Sequence, residues 1–245
     1  MTERIHLGVG SSFGCDRGQG SPHLMLAERL GVPCENRSRH GHGNDFMITD
    51  TLLWLAQRGH SGGVTASVCV SNPYRHDMVT GRGEHGLNWS KWQADERHGA
   101  MALRRMSREA PWAPHHWNIR LTYHLRHLTQ ILTLQNMFRA HRIPYLIWQV
   151  MRPTAGRYTT SEQAQVRSLE KQIDTRHFFR LDHTQIDHVN ETQQWTDPTP
   201  LERPQTYGHT RISVRDEHPN RQCNEQWTEM LWQHHLENNS LTEIR

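Results

Sequence analysis

Hydrophobic positions fall into short bursts separated by glycine- and proline-marked turns, and the bursts alternate between two periods. Ile5 to Gly10 is a six-residue apolar run, read as a strand. It passes into Ser11-Ser12-Phe13-Gly14-Cys15-Asp16, a turn with two hydroxyls, and then a helix from about Ser21 to Leu30 with Gly31 as its C-cap. Val32 to Asn36 predicts a second strand. Asn44 or Asp45 can cap a second helix that runs to about Arg58, with Phe46, Ile48, Leu52, Leu53 and Leu55 as its apolar face. Val64 to Val70 alternates and then turns fully apolar, as a central strand does. Asn118 to His141 carries leucines at helical spacing, and Ile143 to Met151 is a fourth strand. A polar helix near Ser161 to Gln172 follows, then a short strand at Phe178 to Leu181 and a helical turn at Gln185 to Asn190. Arg221 to Leu236 is a last amphipathic helix, with Trp227, Met230 and Leu231 on one side.

Strands alternating with helices predict a parallel sheet covered on both faces. The 245 residues show no internal repeat and suit one domain. Residues 74–117 interrupt the rhythm. They carry Trp89, Trp92, Trp112 and Trp117 among glycines, and read as an irregular tryptophan-rich insertion.

Composition narrows the function. Lys and Arg number 28 against 25 Asp and Glu, and the basic residues are scattered, so no nucleic-acid footprint is visible. No apolar run approaches the roughly 20 residues that span a bilayer, and no basic-then-apolar leader opens the chain. A soluble, cytoplasmic protein is expected. Cys15, Cys34, Cys69 and Cys223 are widely spaced, which predicts free thiols. The 20 histidines invite a metal reading, but His40, His42, His115, His116, His234 and His235 form no ligand framework. They are read as surface residues of a compositionally biased chain, with a His-rich metal protein as a third, weaker possibility.

Four chemical groups fall at predicted strand ends. Ser12 follows the first strand, Gly41 the second and Asn72 the third, and His218 precedes the last helix. Acyl transfer from an ester needs such a set: a hydroxyl nucleophile, a base and N–H donors for the developing oxyanion. Ser12 would attack and His218 would take its proton. The N–H groups of Ser12 and Gly41 and the Asn72 amide would hold the oxyanion. Asp216 would orient the imidazole. Asp16 and Arg75 lie on the same rim as candidate substrate contacts.

These pieces, Gly10-Ser11-Ser12, Asn36 to Gly41, Ser71-Asn72 and Asp216 to Asn220, resemble the four blocks of the SGNH (GDSL-type) hydrolases. In detail the chain looks most like SGNH-like proteins encoded by tailed phages, through Gly10 to Phe13, Gly41 to Asp45, Ser71 to Arg75, and Leu121 to Tyr145. The resemblance implies a flavodoxin-like three-layer α/β/α sandwich and hydrolysis of a small acyl ester or an acetylated carbohydrate. It implies no metal or organic cofactor, no nucleic-acid or membrane partner, and a virion association if the gene belongs to a phage. Three blocks depart from the pattern. Ser11 stands where Asp or Asn is usual, Ser71-Asn72-Pro73 replaces Gly-x-Asn-Asp, and the acid and base are spaced Asp-x-His, with Arg215 at the usual acid position. That spacing leaves open whether Asp216 or a backbone carbonyl orients His218. Gly41-His42-Gly43-Asn44-Asp45 also contains Gly-Asn-Asp, so Asn44 is an alternative oxyanion donor. The rival function is a non-catalytic protein on the same fold, a structural or binding component of a virion or homo-oligomer that uses the insertion as its contact surface.

Overall fold

The computed structural model describes residues 4–16, 18, 20–58, 62–73, 75–83, 86–93, 119–153, 158–191, 211–213 and 216–242. At 76, 78–83, 86–93, 119–120, 190–191, 211–213 and 216–218 only the backbone is described.

The centre is a parallel sheet of β1 (Ile5–Gly10), β2 (Cys34–Asn36), β3 (Val64–Val70) and β6 (Tyr145–Gln149), in the order β2-β1-β3-β6. Phe178 adds an isolated parallel bridge to Ile147 beyond β6, in place of the expected fifth strand. The order therefore matches the flavodoxin-like doubly wound pattern, which reverses direction between its first and third strands. Helices α1 (Pro22–Leu30) and α6 (Arg221–Asn238) cover one face. Helices α2 (Asn44–Arg58), α3 (Ile119–Ala140) and α4 (Thr160–Glu170) cover the other, and α5 (Gln185–Glu191) comes after the bridge at Phe178. None of the described helices is long and apolar enough to cross a membrane.

Alternation along the strands explains the two cores. Leu7, Val9, Val64, Ala66, Val68, Val70, Tyr145 and Ile147 face α2 and α3, and meet Met47, Leu55, Ile131, Leu134 and Phe138. The alternate positions face α1 and α6, where Cys69, Leu146 and Trp148 meet Leu26, Trp227 and Leu231. On β1 that second face reads His6, Gly8, Gly10. The glycines leave room for one side chain of α1: a Cβ on Gly8 would lie 2.6 Å from His23 Cβ.

Several expectations are corrected. On α2 the buried stripe runs through Met47, Thr51, Trp54 and Leu55, which are spaced for one helix face, while Leu52 and Leu53 are exposed on the opposite side. The start of the insertion is regular: β4 (Arg75–Gly83) and β5 (Gly86–Gln93) form an antiparallel hairpin. A register shift between Val79 and Gly81 breaks the two-residue period, which hides the strand from pattern reading. Residues 94–118, including Trp112 and Trp117, lie outside the described residues. A further hairpin is absent from the expected elements: Asp216 and His218 lie on β8 (Asp216–Pro219), paired antiparallel with β7 (Arg211–Ser213). Nor are the histidines all superficial: His6, His23, His42, His127, His188 and His235 are buried.

Candidate active site

The end of β1 is flanked on both sides. The Gly10 carbonyl accepts from Arg39 N at 3.0 Å, while Gly10 is in register with Cys69 of β3. The chain segments that leave β1, β2 and β3, carrying Ser12, Gly41 and Asn72, therefore emerge from one edge of the sheet side by side. This is the carboxyl edge at the switch point, where doubly wound sheets bind ligands.

Ser12 lies in a turn closed by Gly14 N donating to Ser11 O at 3.0 Å. The turn is pinned by other residues. Ser21 Oγ and Asn36 Nδ2 both donate to the Gly14 carbonyl, at 2.7 and 2.9 Å. Ser21 also caps α1 by accepting from His23 N. Among the described residues no group hydrogen-bonds the Ser12 hydroxyl, and the residue is 5% exposed. Beneath the turn runs a buried chain across the α1 face. His6 Nδ1 meets Thr65 Oγ1 at 2.8 Å, His6 Nε2 meets Ser67 Oγ at 2.7 Å, and Ser67 Oγ meets His23 Nδ1 at 2.6 Å. Burial pushes His6 down to about 3 and His23 well below the ordinary histidine value, so both are neutral. A Cβ on Gly14 would lie 2.6 Å from both His23 Nε2 and Ser38 Oγ, which leaves room only for glycine.

Gly41 sits at φ 73°, in the left-handed region that favours glycine. Much of the support for the loop after it comes from a distance. Asp77 of β4 accepts from Gly43 N at 2.8 Å and Phe46 N at 3.0 Å through Oδ2, and from His42 Nδ1 at 3.2 Å through Oδ1. Burial opposes its charge, but the bonds from His42, Gly43 and Phe46 outweigh burial and hold the carboxyl below its usual range. Asp77 thus does the capping expected of Asn44 or Asp45. Asn44 is instead occupied inward: its Oδ1 accepts from Ser71 N at 2.7 Å, and its Nδ2 donates to Gln130 Oε1 at 2.9 Å. Gln149 Nε2 donates to the Leu181 carbonyl, which turns its Oε1 toward His127 Nε2. His127 is therefore the Nε2–H tautomer, leaving Nδ1 to accept from Asn44 at 3.5 Å. Burial lowers His127 to about 4. With its amide consumed, Asn44 is set aside as an oxyanion donor.

Ser71 Oγ donates to the His42 carbonyl at 2.8 Å, tying the end of β3 to the same loop. Asn72 is nearly buried, and its carbonyl accepts from Arg75 N at 3.1 Å. The Arg75 guanidinium lies 3.4 Å from Ser71 Oγ. Burial lowers its pKa, partly offset by the charge of Asp77. Asp16 is exposed and closes its own turn by accepting from Gly18 N at 2.9 Å, which gives it a local role.

Asp216 and His218 both lie on β8, which carries a register shift against β7. Their side chains lie outside the described residues. Helix α6 begins directly after the strand. Asn220 caps α6 through Cys223 N, and Asn224 donates to the Gly20 carbonyl at 2.9 Å, just beyond the Ser12 turn. Gln185 links Asn224 to Cys69 and Trp148 at the sheet. Among the described residues no group of His, Cys, Asp and Glu is arranged to hold a metal.

Asp77, His23 and Asn224 escape a reading of the sequence. Each acts over a long separation, and a local motif signals none of them. Only the glycines at 8, 10 and 14 hint that something bulky rests on β1.

No family model matches the chain, and no curated protein matches it. Among solved structures it is similar to TesA, at 12% identity with a TM-score of 0.44, over 95% of this chain and 98% of that one. It is also similar to the protein YxiM from Bacillus subtilis, at 12% identity with a TM-score of 0.47, over 99% of this chain and 58% of that one.

Proposed function

We propose that the chain is a serine hydrolase of the SGNH type that cleaves ester bonds. Ser12 attacks the acyl carbon and His218 takes its proton, then returns it to the leaving alcohol. The N–H groups of Ser12 and Gly41 and the amide of Asn72 stabilise the oxyanion, and water then releases the acyl group from Ser12. Asp216, two residues before His218 on β8, orients the imidazole. Arg75 contacts the substrate, a small acyl ester or an acetylated carbohydrate.

One observation carries this reading. A nearly buried serine at the switch-point edge has its turn pinned by Ser21 and Asn36, so its own hydroxyl is not spent on holding the backbone. The test is labelling with a fluorophosphonate and mass mapping of the adduct. An adduct on Ser12, lost in His218→Ala, supports the reading. Absence of any adduct on folded protein transfers the assignment to the non-catalytic binding protein.

A further inference from the structure

We propose that the β4–β5 hairpin belongs to the catalytic apparatus, and that Asp77 is the positioning residue through which it aims the Gly41 N–H at the oxyanion. This rests on the hydrolase reading above. It gives the start of the insertion a role inside the site, where the rival function would make it an outward contact surface.

The loop draws on other elements for support. Gly41 turns the chain in the left-handed region, and α2 begins three residues later at Asn44. A helix start carries N–H groups with no partner inside the helix. The local side chains able to take them are committed elsewhere. Asn44 serves Ser71 and Gln130, while the Asp45 carboxylate pairs with Arg126 and accepts from Gln130 Nε2 at 2.7 Å. The Asp77 carboxylate, with no exposed side-chain surface, takes both Gly43 N and Phe46 N on one oxygen and His42 on the other.

The contact is also steric. A Cβ on Gly43 would lie 2.9 Å from Arg75 Cβ, 3.0 Å from the Arg75 carbonyl and 3.0 Å from Asp77 Oδ2. The first strand of the hairpin and the loop therefore touch along two residues. Arg126 of α3 donates to the same Arg75 carbonyl at 3.3 Å, which fixes the hairpin from its other side. An oxyanion donor works only within a few tenths of an ångström of its place. The residue that fixes this loop therefore fixes the geometry of the developing charge, without touching substrate.

The experiment compares wild type, Asp77→Ala, Asp77→Asn and Gly43→Ala in hydrolysis of 4-nitrophenyl acetate. Amide hydrogen exchange is measured in parallel over residues 39–47 and over β3. Asp77→Ala is expected to lower kcat by about 10- to 100-fold, less than outright loss of a donor, and to leave KM nearly unchanged. Its 39–47 segment should exchange faster while β3 exchanges as in wild type. Asp77→Asn keeps an oxygen that accepts from both N–H groups, and should restore most of kcat and of the protection. Gly43→Ala keeps the carboxylate but forces it away, and should lower kcat as Asp77→Ala does. It replaces that variant if Asp77→Ala does not fold.

A folded Asp77→Ala with wild-type kcat, or with unchanged exchange over 39–47, overturns the proposal. So does a Gly43→Ala with wild-type kcat. If wild type hydrolyses no ester and Ser12 takes no label, the hydrolase reading has failed and exchange alone decides. Faster exchange in Asp77→Ala then keeps Asp77 as the anchor of the loop, and unchanged exchange removes it.

Discussion

The two halves of the candidate site are built in opposite ways. The nucleophile half, β1 and its turn into α1, is largely local. Ser21 caps α1, Gly31 ends it at φ 68°, and the turn between strand and helix is pinned by Ser21, with one bond from Asn36 on β2. The oxyanion half is a loop braced chiefly by distant elements. Its hydrogen bonds come from Asp77 on the hairpin, Ser71 at the end of β3 and, through Asn44, Gln130 on α3. One half can be read from adjacent residues, and the other exists only once distant elements have packed.

The largest expected effect breaks the chemistry of the first half and spares its structure. Ser12→Ala should remove nearly all ester hydrolysis, on the order of 10⁴-fold or more, with an unchanged melting temperature. Ser12→Ala joined to His218→Ala should cost little beyond either alone. Residual turnover near wild type in Ser12→Ala would end the assignment.

Acid should weaken the buried histidines of both halves before it reaches the Asp77 clamp. His6, His23 and His127 are held neutral by burial, while in the unfolded chain each protonates near 6.5. Their contribution is complete above that value and declines as the pH falls through it. The decline is about 1.4 kcal/mol per pH unit for each histidine, and ends only at the depressed folded values. The Asp77 clamp has a carboxyl held below its usual range, so it is lost only at much lower pH. Melting temperature measured from pH 7.5 to 4.5 should fall steadily from about 6.5 downward. A flat profile to pH 5 would refute the neutral buried histidines.

Smaller effects sharpen the contrast. Gly8→Ala drives a methyl into His23 Cβ and Cγ, at 2.6 and 2.8 Å, and α1 must move to admit it. About 2 kcal/mol of destabilisation is expected, or several degrees in calorimetry. Asn44→Ala strands the Ser71 N–H and a Gln130 acceptor, again costing about 2 kcal/mol, but here kcat should fall as well because the loop is released. Gly62→Ala, whose added methyl meets nothing within 4 Å, should stay within about 0.5 kcal/mol of wild type in denaturant titration.

The same contrast explains what the sequence discloses. Ile5 to Gly10, Val64 to Val70 and the cap residues of α1 speak through neighbours, so the parallel sheet and the place of Ser12 are legible. Asp77 is not, because a cap supplied from another strand leaves no mark beside the helix it caps. Nor is the hairpin itself, whose register shift scrambles the alternation that marks a strand. The buried histidines look superficial in the sequence because His6 and His23 become interior only when Gly8 and Gly10 let α1 settle onto β1.

The bond from Asn224 to Gly20 spans 204 residues. At ribosomal speeds of about 5–20 residues per second, Gly20 waits roughly 10–40 seconds for its partner during synthesis. Ser12, the proposed nucleophile, is thus made early and enclosed late. A chain stalled before α6 presents the α1 side of the sheet, with Trp148, to solvent and to any chaperone that binds apolar surface.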